Sequence, residues 1–582
     1  MLSKTLLVLS SLFLFTGCIS RLTVPAPAAV LYENGSSSYQ IVLPDEYDQR
    51  STETHLSSAA QALQGEFQIA TGVLLPIVKE TQADSTRPAL FIGNCQAPRA
   101  AGFEPAAFKD LTYLIAERQG NIFLAGRDCH APFRRTNRHH RQHILGSVKA
   151  MVVFMEKYLG TRFLWPGAIG RETPPSARIV IPGGLTLKQS PLLVFATGRH
   201  YELMYDTANN NFGVNDIYVY GGHSYYSAVP AQKYGDSNPE YFIWSGDDRN
   251  PNNNHLCISN PQVQELIYQE VLNKLDEGAS TVELAQTDGY TPCQCQKCQD
   301  FAGTSDQGEK LWVLHRSIAE RLLRDRPGKK VLIISYGPTN MPPKSFRKFP
   351  DNVMIELCSY SPEHLEAWSK MQVPQGFTSY IYNWGYYQST GFTPQRYPEH
   401  SAEQVRTFAK FGIKGVYRCA FGDNMGLEGP NYYVFGKLWD DPEQDPQVLA
   451  EEFYQAAFGP SAPLMRKFYQ TLFARLRAFT LLLNQRGYGA KSAIPDNPRA
   501  LLGYIYSPDL LDSMEKSLSR AEKLADSAKI RKRLELVRME FDYAKNLGQI
   551  IHLYDAYLIS PDQNAFERVA QKVEERQRMI AS

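Results

Sequence analysis

The segment from residue 281 to residue 357 contains the pattern from which the architecture follows. It reads TVELA at 281–285, EKLWVLHRSIAERLLR at 309–324, KVLIIS at 330–335 and NVMIEL at 352–357. The three short, mostly apolar runs are typical of buried strands, whereas the longer run repeats its apolar residues every three to four positions, as an amphipathic helix does. Strands that alternate with helices predict a parallel sheet built from βαβ units.

The same alternation extends in both directions along the chain. Candidate strands lie at 192–196, 216–220, 255–258, 281–285, 330–335, 352–357, 378–382 and 415–419, with helices at 261–275, 309–324, 362–371 and 402–411. Eight strands in about 240 residues fit a (β/α)8 TIM barrel, an α/β fold that we assign to residues 189–440. A doubly wound open sheet is the main alternative, but its usual glycine-rich phosphate turn after the first strand is missing from the sequence.

Two further regions flank the predicted barrel. Residues 31–188 mix short strands with helices, one of them at 52–71 before Gly72, and predict an α+β accessory domain. Residues 441–582 repeat apolar positions at helical spacing and predict a C-terminal helical bundle. Its helices are expected at 446–457, 463–482, 509–526, 530–558 and 564–579.

The composition narrows the class of partner. The chain has 61 Lys and Arg against 60 Asp and Glu, so its charge is nearly balanced. Nucleic acids and anionic membrane surfaces select a basic excess, and neither is expected as the main partner. The chain is also unusually rich in tyrosine, with 33 residues. This content indicates a surface that stacks flat, uncharged groups.

The first 18 residues are typical of an export signal. Lys4 precedes an apolar run at residues 5–16, shorter than the roughly 20 residues of a membrane span. The sequence FTGC at 15–18 resembles a bacterial lipobox, which implies cleavage before Cys18 and a lipid on its thiol; a plain signal peptide is the alternative. Residues 19–30 would then be a linker. The expected product is exported and membrane-anchored, at the periplasmic face or the cell surface.

Four cysteines near the middle of the chain form a candidate structural site. Cys293, Cys295 and Cys298 follow a C-x-C-x-x-C pattern, and Cys257 is the nearest candidate for a fourth member. Three thiolates suit tetrahedral zinc, with Cys257 or a His completing the shell. An oxidising compartment favours one or two disulfides instead, and free thiols are the third alternative. In all three cases the role is structural, because a catalytic zinc keeps an open position and usually mixes in His or carboxylate ligands.

Carboxylates at predicted strand ends are the catalytic candidates, because active sites of barrels lie at the carboxyl ends of the strands. Asp288 follows the strand at 281–285 and precedes Gly289, although a turn-capping role is its structural alternative. Glu356 interrupts an apolar run, where a carboxylate needs a partner or a task. Glycosidic cleavage uses two carboxyl groups. We therefore expect Asp288 as a general acid kept protonated by burial and Glu356 as base or nucleophile.

Aromatic and polar side chains at the same strand ends are candidate substrate contacts. Aromatic faces pack against the apolar faces of sugars, while amides and carboxylates bind hydroxyl groups. The expected contacts are Arg199, His223, Tyr225, Tyr290, Asn383, Trp384, Tyr386, Asp423 and Glu428. No cofactor is expected in catalysis.

Several segments resemble one bacterial family. They are GGH at 221–223, YGDSNPEY at 234–241, LCISNP at 256–261, and TDG at 287–289 followed by the cysteine motif. That barrel domain, long of unknown function, is related to glycoside hydrolase family 163, the endo-β-N-acetylglucosaminidases acting on N-glycans. The N-terminal region, with LGTRF at 159–163, is similar to the accessory domain before the barrels of α-glucuronidases and β-hexosaminidases. The resemblance implies a glycosidase acting on β-N-acetylglucosaminides.

One departure from these relatives matters for the mechanism. Hexosaminidases that use the acetamido group of their substrate carry adjacent acidic residues at this strand end, whereas Asp288 is flanked by Thr287 and Gly289. The second carboxylate must therefore come from another strand. Two other functions stay open: an α-glucuronidase-like activity, with Arg199 or Arg418 binding the uronate, and a non-catalytic glycan-binding lipoprotein.

Overall fold

A computed structural model provides the structure of the chain. It describes residues 28–109, 111–130, 143–193, 195–197, 201–212, 217–220, 222–383, 392–419, 422, 424–485 and 498–581. The expected signal peptide with Cys18, and the predicted contacts Arg199, Trp384, Tyr386 and Asp423, lie outside these residues. Within them, no helix combines the length and apolarity needed to cross a bilayer.

A six-stranded mixed sheet forms the N-terminal region. Its strands are β1 (Gln40–Leu43), β2 (Ile77–Lys79), β3 (Ala89–Ile92), β4 (Tyr113–Arg118), β5 (Asn121–Gly126) and β6 (Thr186–Gln189), in the order β6-β4-β5-β3-β1-β2. The helices Arg50–Thr71 and Gly146–Phe154 bury apolar residues in the same core cluster as the sheet. Gly72 ends the first helix in the left-handed conformation (φ 76°) that glycine adopts without steric cost, which confirms the predicted helix.

A seven-stranded, all-parallel sheet of half-barrel form follows. Its strands are β7 (Phe195–Thr197), β8 (Ile217–Tyr218), β9 (Thr281–Leu284), β10 (Lys330–Ser335), β11 (Val353–Leu357), β12 (Phe377–Ile381) and β13 (Ile413–Arg418). The order is β7-β13-β12-β11-β10-β9-β8. The two edge strands, β7 and β8, are consecutive in the chain. Among the described residues they are not joined by hydrogen bonds, so the closed TIM barrel is not seen there.

The strand predicted at residues 255–258 does not form. This segment makes a single antiparallel bridge between Leu256 and Phe242. Since β8 pairs directly with β9, no position remains between them for another parallel strand. The apolar residues are buried all the same, as Leu256 and Ile258 belong to the large central core. A short apolar run predicted burial correctly and the strand wrongly.

Helices cover the outer face of the parallel sheet. They are Pro261–Asp276, Gln307–Asp325, Pro362–Ser369 and Pro398–Phe411. Alternate strand residues such as Val331 and Ile333 point toward them and share their core, so each strand buries one face against helices and the other in the interior of the half-barrel. Burial of this kind contributes about 1.5–3 kcal/mol for each large apolar side chain.

The C-terminal region is helical, as predicted. Its helices are Gly429–Leu438, Pro446–Phe458, Ala462–Gln485, Pro498–Ile505, Pro508–Leu524, Ala528–Ile559 and Gln563–Ala581. The helix Ala528–Ile559 reaches the loop after β13, because the Glu540 carboxylate accepts hydrogen bonds from the Gly426 and Leu427 amides at 2.8 and 2.6 Å. The helical region therefore supports the same edge of the parallel sheet on which Asp288 lies.

Candidate active site

Asp288 stands at the carboxyl edge of the parallel sheet. It follows β9 by four residues, and its Oδ1 accepts hydrogen bonds from the Tyr336 hydroxyl at 3.0 Å and the Gly289 amide at 2.9 Å. Its side chain is 60% exposed. The expected burial of Asp288 is therefore wrong: an open, oriented carboxylate faces solvent here, within reach of a ligand.

His223 faces Asp288 from the segment after β8. Its Nδ1 lies 2.7 Å from the carbonyl oxygen of Gln286. Because a carbonyl can only accept, Nδ1 carries a proton, and in the neutral imidazole Nε2 is then the nitrogen with the lone pair. Nε2 lies 3.8 Å from Asp288 Oδ1, too far for a direct hydrogen bond. A hydroxyl group or a water placed between the two can donate to either.

Two tyrosines flank His223 and complete a polar and aromatic corner. The rings of Tyr226 and Tyr336 meet the imidazole edge to face, with centroids 6.0 and 5.6 Å away. Tyr226 is 38% exposed and presents part of its ring to solvent. Burial and the neighbouring Asp288 raise the pKa of Tyr336 to about 12, so its hydroxyl stays a hydrogen-bond donor at neutral pH. We call Asp288, His223, Tyr226 and Tyr336 the rim cluster.

Sequence reasoning missed Tyr226 and Tyr336. Tyr336 is the first residue after β10, so it was available to the same rule that selected Asp288. Tyr226 follows His223 by three residues, in the short helix Tyr225–Ala228, and the sequence alone does not say which of the two neighbouring tyrosine rings is exposed. The structure selects Tyr226, because Tyr225 beside it is fully buried.

Glu356 lies in the interior of the half-barrel. It is 2% exposed, and its Oε1 has no hydrogen-bond partner among the described residues. Burial, followed by the nearby Glu283, raises its pKa well above the ordinary value of 4.5. Glu283 also points inward, where its carboxylate accepts the Tyr220 amide at 2.9 Å and the Gly222 amide at 3.2 Å. Enclosure thus favours the protonated form of the Glu356 carboxyl group.

Glu356 and Asp288 differ in their surroundings. Glu356 pairs in register with Ile334, which packs with Ala285 and Cys358 inside the half-barrel. Asp288 follows β9 by four residues and its side chain is 60% exposed. The predicted pairing of the two carboxyl groups across one glycosidic bond does not fit this difference, because Glu356 is enclosed and 2% exposed.

Glu356→Gln is expected to leave any activity at the rim unchanged while altering the pH dependence of stability. A folded-state pKa above 4.5 means that the unfolded chain releases this proton first, so stability falls as pH rises above about 4.5. The neutral amide removes that loss. Urea unfolding at pH 5 and pH 8 should show a flatter pH response than the wild type, with the exposed Glu535→Gln as control. An unchanged pH response, or a loss of turnover, would contradict the placement.

Most other predicted contacts within the described residues are buried. The Tyr225 hydroxyl pairs with His315 Nε2 at 2.8 Å, and Asn383 pairs with Gln404. The half-buried Tyr290 has its hydroxyl oxygen enclosed. Glu428 is fully buried, and its carboxylate accepts the Tyr432 hydroxyl at 2.5 Å. Of the predicted contacts within the described residues, His223 alone lies beside Asp288.

Arg418 does not supply a uronate-binding charge. Its guanidinium is 1% exposed and donates to the main-chain carbonyls of Asn209 and Asn210 at 3.3 and 2.7 Å. Burial lowers its pKa to about 9. The side chain holds the residue 209–210 turn against the end of β13, a structural task. Of the two arginines proposed for the α-glucuronidase-like alternative, the structure describes only Arg418, and this residue is not available to a substrate.

The four cysteines named from the sequence do come together. Cys257, Cys293, Cys295 and Cys298 place their sulfur atoms within 4.8 Å of one another, and no disulfide joins any of the described cysteines. Three of the four are buried. Within the described residues, this is the group of His, Cys, Asp and Glu side chains whose geometry suits a metal ion.

One protein family matches the chain. Residues 165–470, more than half of the chain, match the family described as "Domain of unknown function (DUF4838)". The chain belongs to this family. The DUF4838 match covers the whole parallel sheet, the rim cluster and the four cysteines. No curated protein matches the sequence.

Three solved structures are similar to this DUF4838 protein at low identity. CpGH84B shares 9% identity with a TM-score of 0.38, covering 97% of this chain and 96% of that one. A mutant O-GlcNAc hydrolase of Thermobaculum terrenum shares 15%, with a TM-score of 0.30 and coverages of 55% and 70%. A GH138 enzyme targeting pectin rhamnogalacturonan II shares 8%, with a TM-score of 0.35 and coverages of 93% and 73%. These similarities carry no conclusion about activity.

Proposed function

We propose that this chain is a glycoside hydrolase acting on complex glycans, with β-N-acetylglucosaminides as the leading substrate class. The observation that carries the proposal is the rim cluster: an exposed carboxylate, Asp288, held by a tyrosine hydroxyl and facing a histidine at the carboxyl edge of a parallel sheet. Asp288 would exchange a proton with the glycosidic oxygen. Tyr336 would keep the carboxyl group oriented, and His223 Nε2 would accept from a sugar hydroxyl.

The second carboxyl group is proposed from the sequence. Glu356 and Glu428 are both enclosed, which leaves Asp423, five residues after β13, as the candidate at this edge of the sheet. A full TIM barrel over residues 189–440, with the domains 31–188 and 441–582 on either side, stays part of the proposal. So does the resemblance to glycoside hydrolase family 163. The near-neutral net charge supports a mostly uncharged ligand.

The proposal also includes export and anchoring through a lipid on Cys18, at the periplasmic face or the cell surface. The signal-like residues 1–18 and the FTGC sequence support it. Mass spectrometry of the N-terminal peptide from protein produced in a bacterial host tests the lipid directly. An unmodified cysteine, or a cleavage elsewhere, would remove the anchor from the proposal and leave the activity untouched.

The activity is tested by a product-release screen with N-glycans, β-N-acetylglucosaminides and glucuronoxylan. Release from either of the first two supports the proposal, and comparing Asp423→Asn with Glu428→Gln in the same assay identifies the second carboxylate. Glucuronoxylan as the cleaved substrate would favour the α-glucuronidase-like alternative. No release from any of the three by the wild type would contradict the hydrolase.

A glycan-binding function without hydrolysis is the second candidate. One observation favours it: Glu356, the carboxylate that the sequence paired with Asp288, is enclosed in the half-barrel and 2% exposed. Binding without release in the screen, measured by calorimetry with the same glycans, would support this candidate over the first.

A further inference from the structure

The four-cysteine group has the spacing of a metal site. The Cys257 sulfur lies 3.7 Å from that of Cys295 and 3.6 Å from that of Cys298, and all four sulfurs lie within 4.8 Å of one another. A tetrahedral zinc ion with Zn–S bonds of about 2.3 Å places its ligand sulfurs roughly 3.8 Å apart. The observed separations fit that tetrahedron.

The same distances do not fit disulfides. A disulfide requires its two sulfurs at about 2.05 Å, and four cysteines would have to divide into two close pairs. Cys257 is instead nearly equidistant from Cys295 and Cys298. All four sulfurs lie within 4.8 Å of one another, as the ligands of a single ion do.

The neighbouring groups are donors that suit thiolates. The Trp244 amide donates to the Cys293 sulfur at 3.2 Å, and an Arg249 guanidinium nitrogen lies 3.7 Å from the same sulfur. The Ser259 hydroxyl lies 3.0 Å from the Cys298 sulfur. Four thiolates around a divalent cation carry two net negative charges, and Arg249 offsets one of them. Such outer donors orient ligands and tune a metal site.

We propose that Cys257, Cys293, Cys295 and Cys298 bind one zinc ion through four thiolates. The complete sulfur shell leaves no open position for a substrate or an activated water, so the role of this ion is structural. The assignment is independent of the proposed hydrolase, since it rests on the sulfur positions and their donors alone.

The zinc site connects the rim cluster to an adjacent ribbon. Cys293 follows Asp288 by five residues, and the next amide, that of Gln294, donates to the Trp244 carbonyl at 2.8 Å. Trp244 belongs to the two-stranded ribbon Ile243–Trp244 and Arg249–Asn250. The ion would therefore attach the segment that follows Asp288 both to Cys257 and to the ribbon. Loss of the ion should loosen the position of Asp288.

Metal analysis of the full chain, purified without chelator, is the direct test. We expect one zinc per chain, and a fall to a small fraction of that in Cys293→Ser and Cys295→Ser. Cys129→Ser, which removes a half-buried thiol outside the group, should keep the zinc. If a ligand variant fails to fold, the wild type still provides the test through the state of its thiols and its response to chelator. Alkylation in denaturant with chelator and no reductant should label all four cysteines, and chelator should release zinc and lower the unfolding temperature.

Three results would overturn the assignment. The first is a disulfide-linked peptide that contains any of the four cysteines in the unreduced protein. The second is a folded wild type that contains four free thiols and no metal. The third is iron bound in place of zinc. If zinc is present and no glycan is cleaved, the metal site stands and the proposed function fails. If the protein as purified contains no metal and cleaves a glycan, the proposed function stands and the metal site fails.

Discussion

Asp288→Asn is expected to lower hydrolysis of whichever glycan the wild type cleaves by about 10³-fold while leaving its affinity nearly unchanged. General acid–base groups contribute roughly 10² to 10⁴ in rate, and the amide cannot supply the proton. The side chain keeps its shape, and the Tyr336 hydroxyl can still donate to the amide oxygen. Steady-state rates with calorimetric affinities measure both effects.

The leaving group distinguishes the acid role from a general loss of structure. With a nitrophenyl glycoside, departure needs little protonation, so Asp288→Asn should lose much less of the rate than with a natural glycan. Asp300→Asn, an exposed aspartate on the nearby helix Gln296–Asp300, serves as the matched control and should match the wild type. Equal losses on both substrates would contradict a general acid. Little change in the rate on either substrate would show that Asp288 is not the general acid.

The parallel sheet could be predicted because its signal is local. Residues 330–335 and 353–357 are short, mostly apolar runs, and both form strands that are buried on their two faces. Residues 255–258 show the limit of that signal. They are similarly apolar, but pairing between β8 and β9 excludes them from the sheet, and pairing is a property of distant segments.

The site was harder to predict because the position of a residue within its strand does not tell how far it lies from the carboxyl edge of the half-barrel. Glu356 interrupts the apolar run VMIEL, which predicted a partner or a task for it, and the structure encloses it in the half-barrel. Whether it reaches the rim depends on the stagger between strands, and in the structure Glu356 pairs in register with Ile334 and is enclosed. The sequence of a single strand contains no information about that stagger. Asp288 was found because it lies beyond the strand end, where any stagger leaves it at the edge.

Glu540 links the C-terminal helices to the loop after β13, at the carboxyl edge of the sheet, and is the second position with a large expected effect. Burial raises its pKa to about 7 from the ordinary 4.5, although the Gly426 and Leu427 amides partly stabilise the charged form. The folded state therefore holds a proton that the unfolded chain releases between pH 4.5 and 7. Stability should fall over that window by about 3 kcal/mol from this group, at about 1.4 kcal/mol per pKa unit.

Glu540→Gln should remove this pH dependence and should also lower the free energy of unfolding by an amount that does not change with pH. The amide oxygen can accept one of the two main-chain donors but its NH₂ cannot accept the other, and an unsatisfied buried amide costs about 1–3 kcal/mol. In urea unfolding, the variant should thus be less stable than the wild type at pH 5, and the difference should shrink or reverse by pH 8. Glu535→Gln, exposed on the same helix, should follow the wild type at both values. A variant that keeps the wild-type slope would show that Glu540 is not the group that titrates. Since Gly426 and Leu427 lie in the loop after β13, a change in activity that parallels the loss of stability would mean that this buried carboxyl holds the edge of the sheet in its active form.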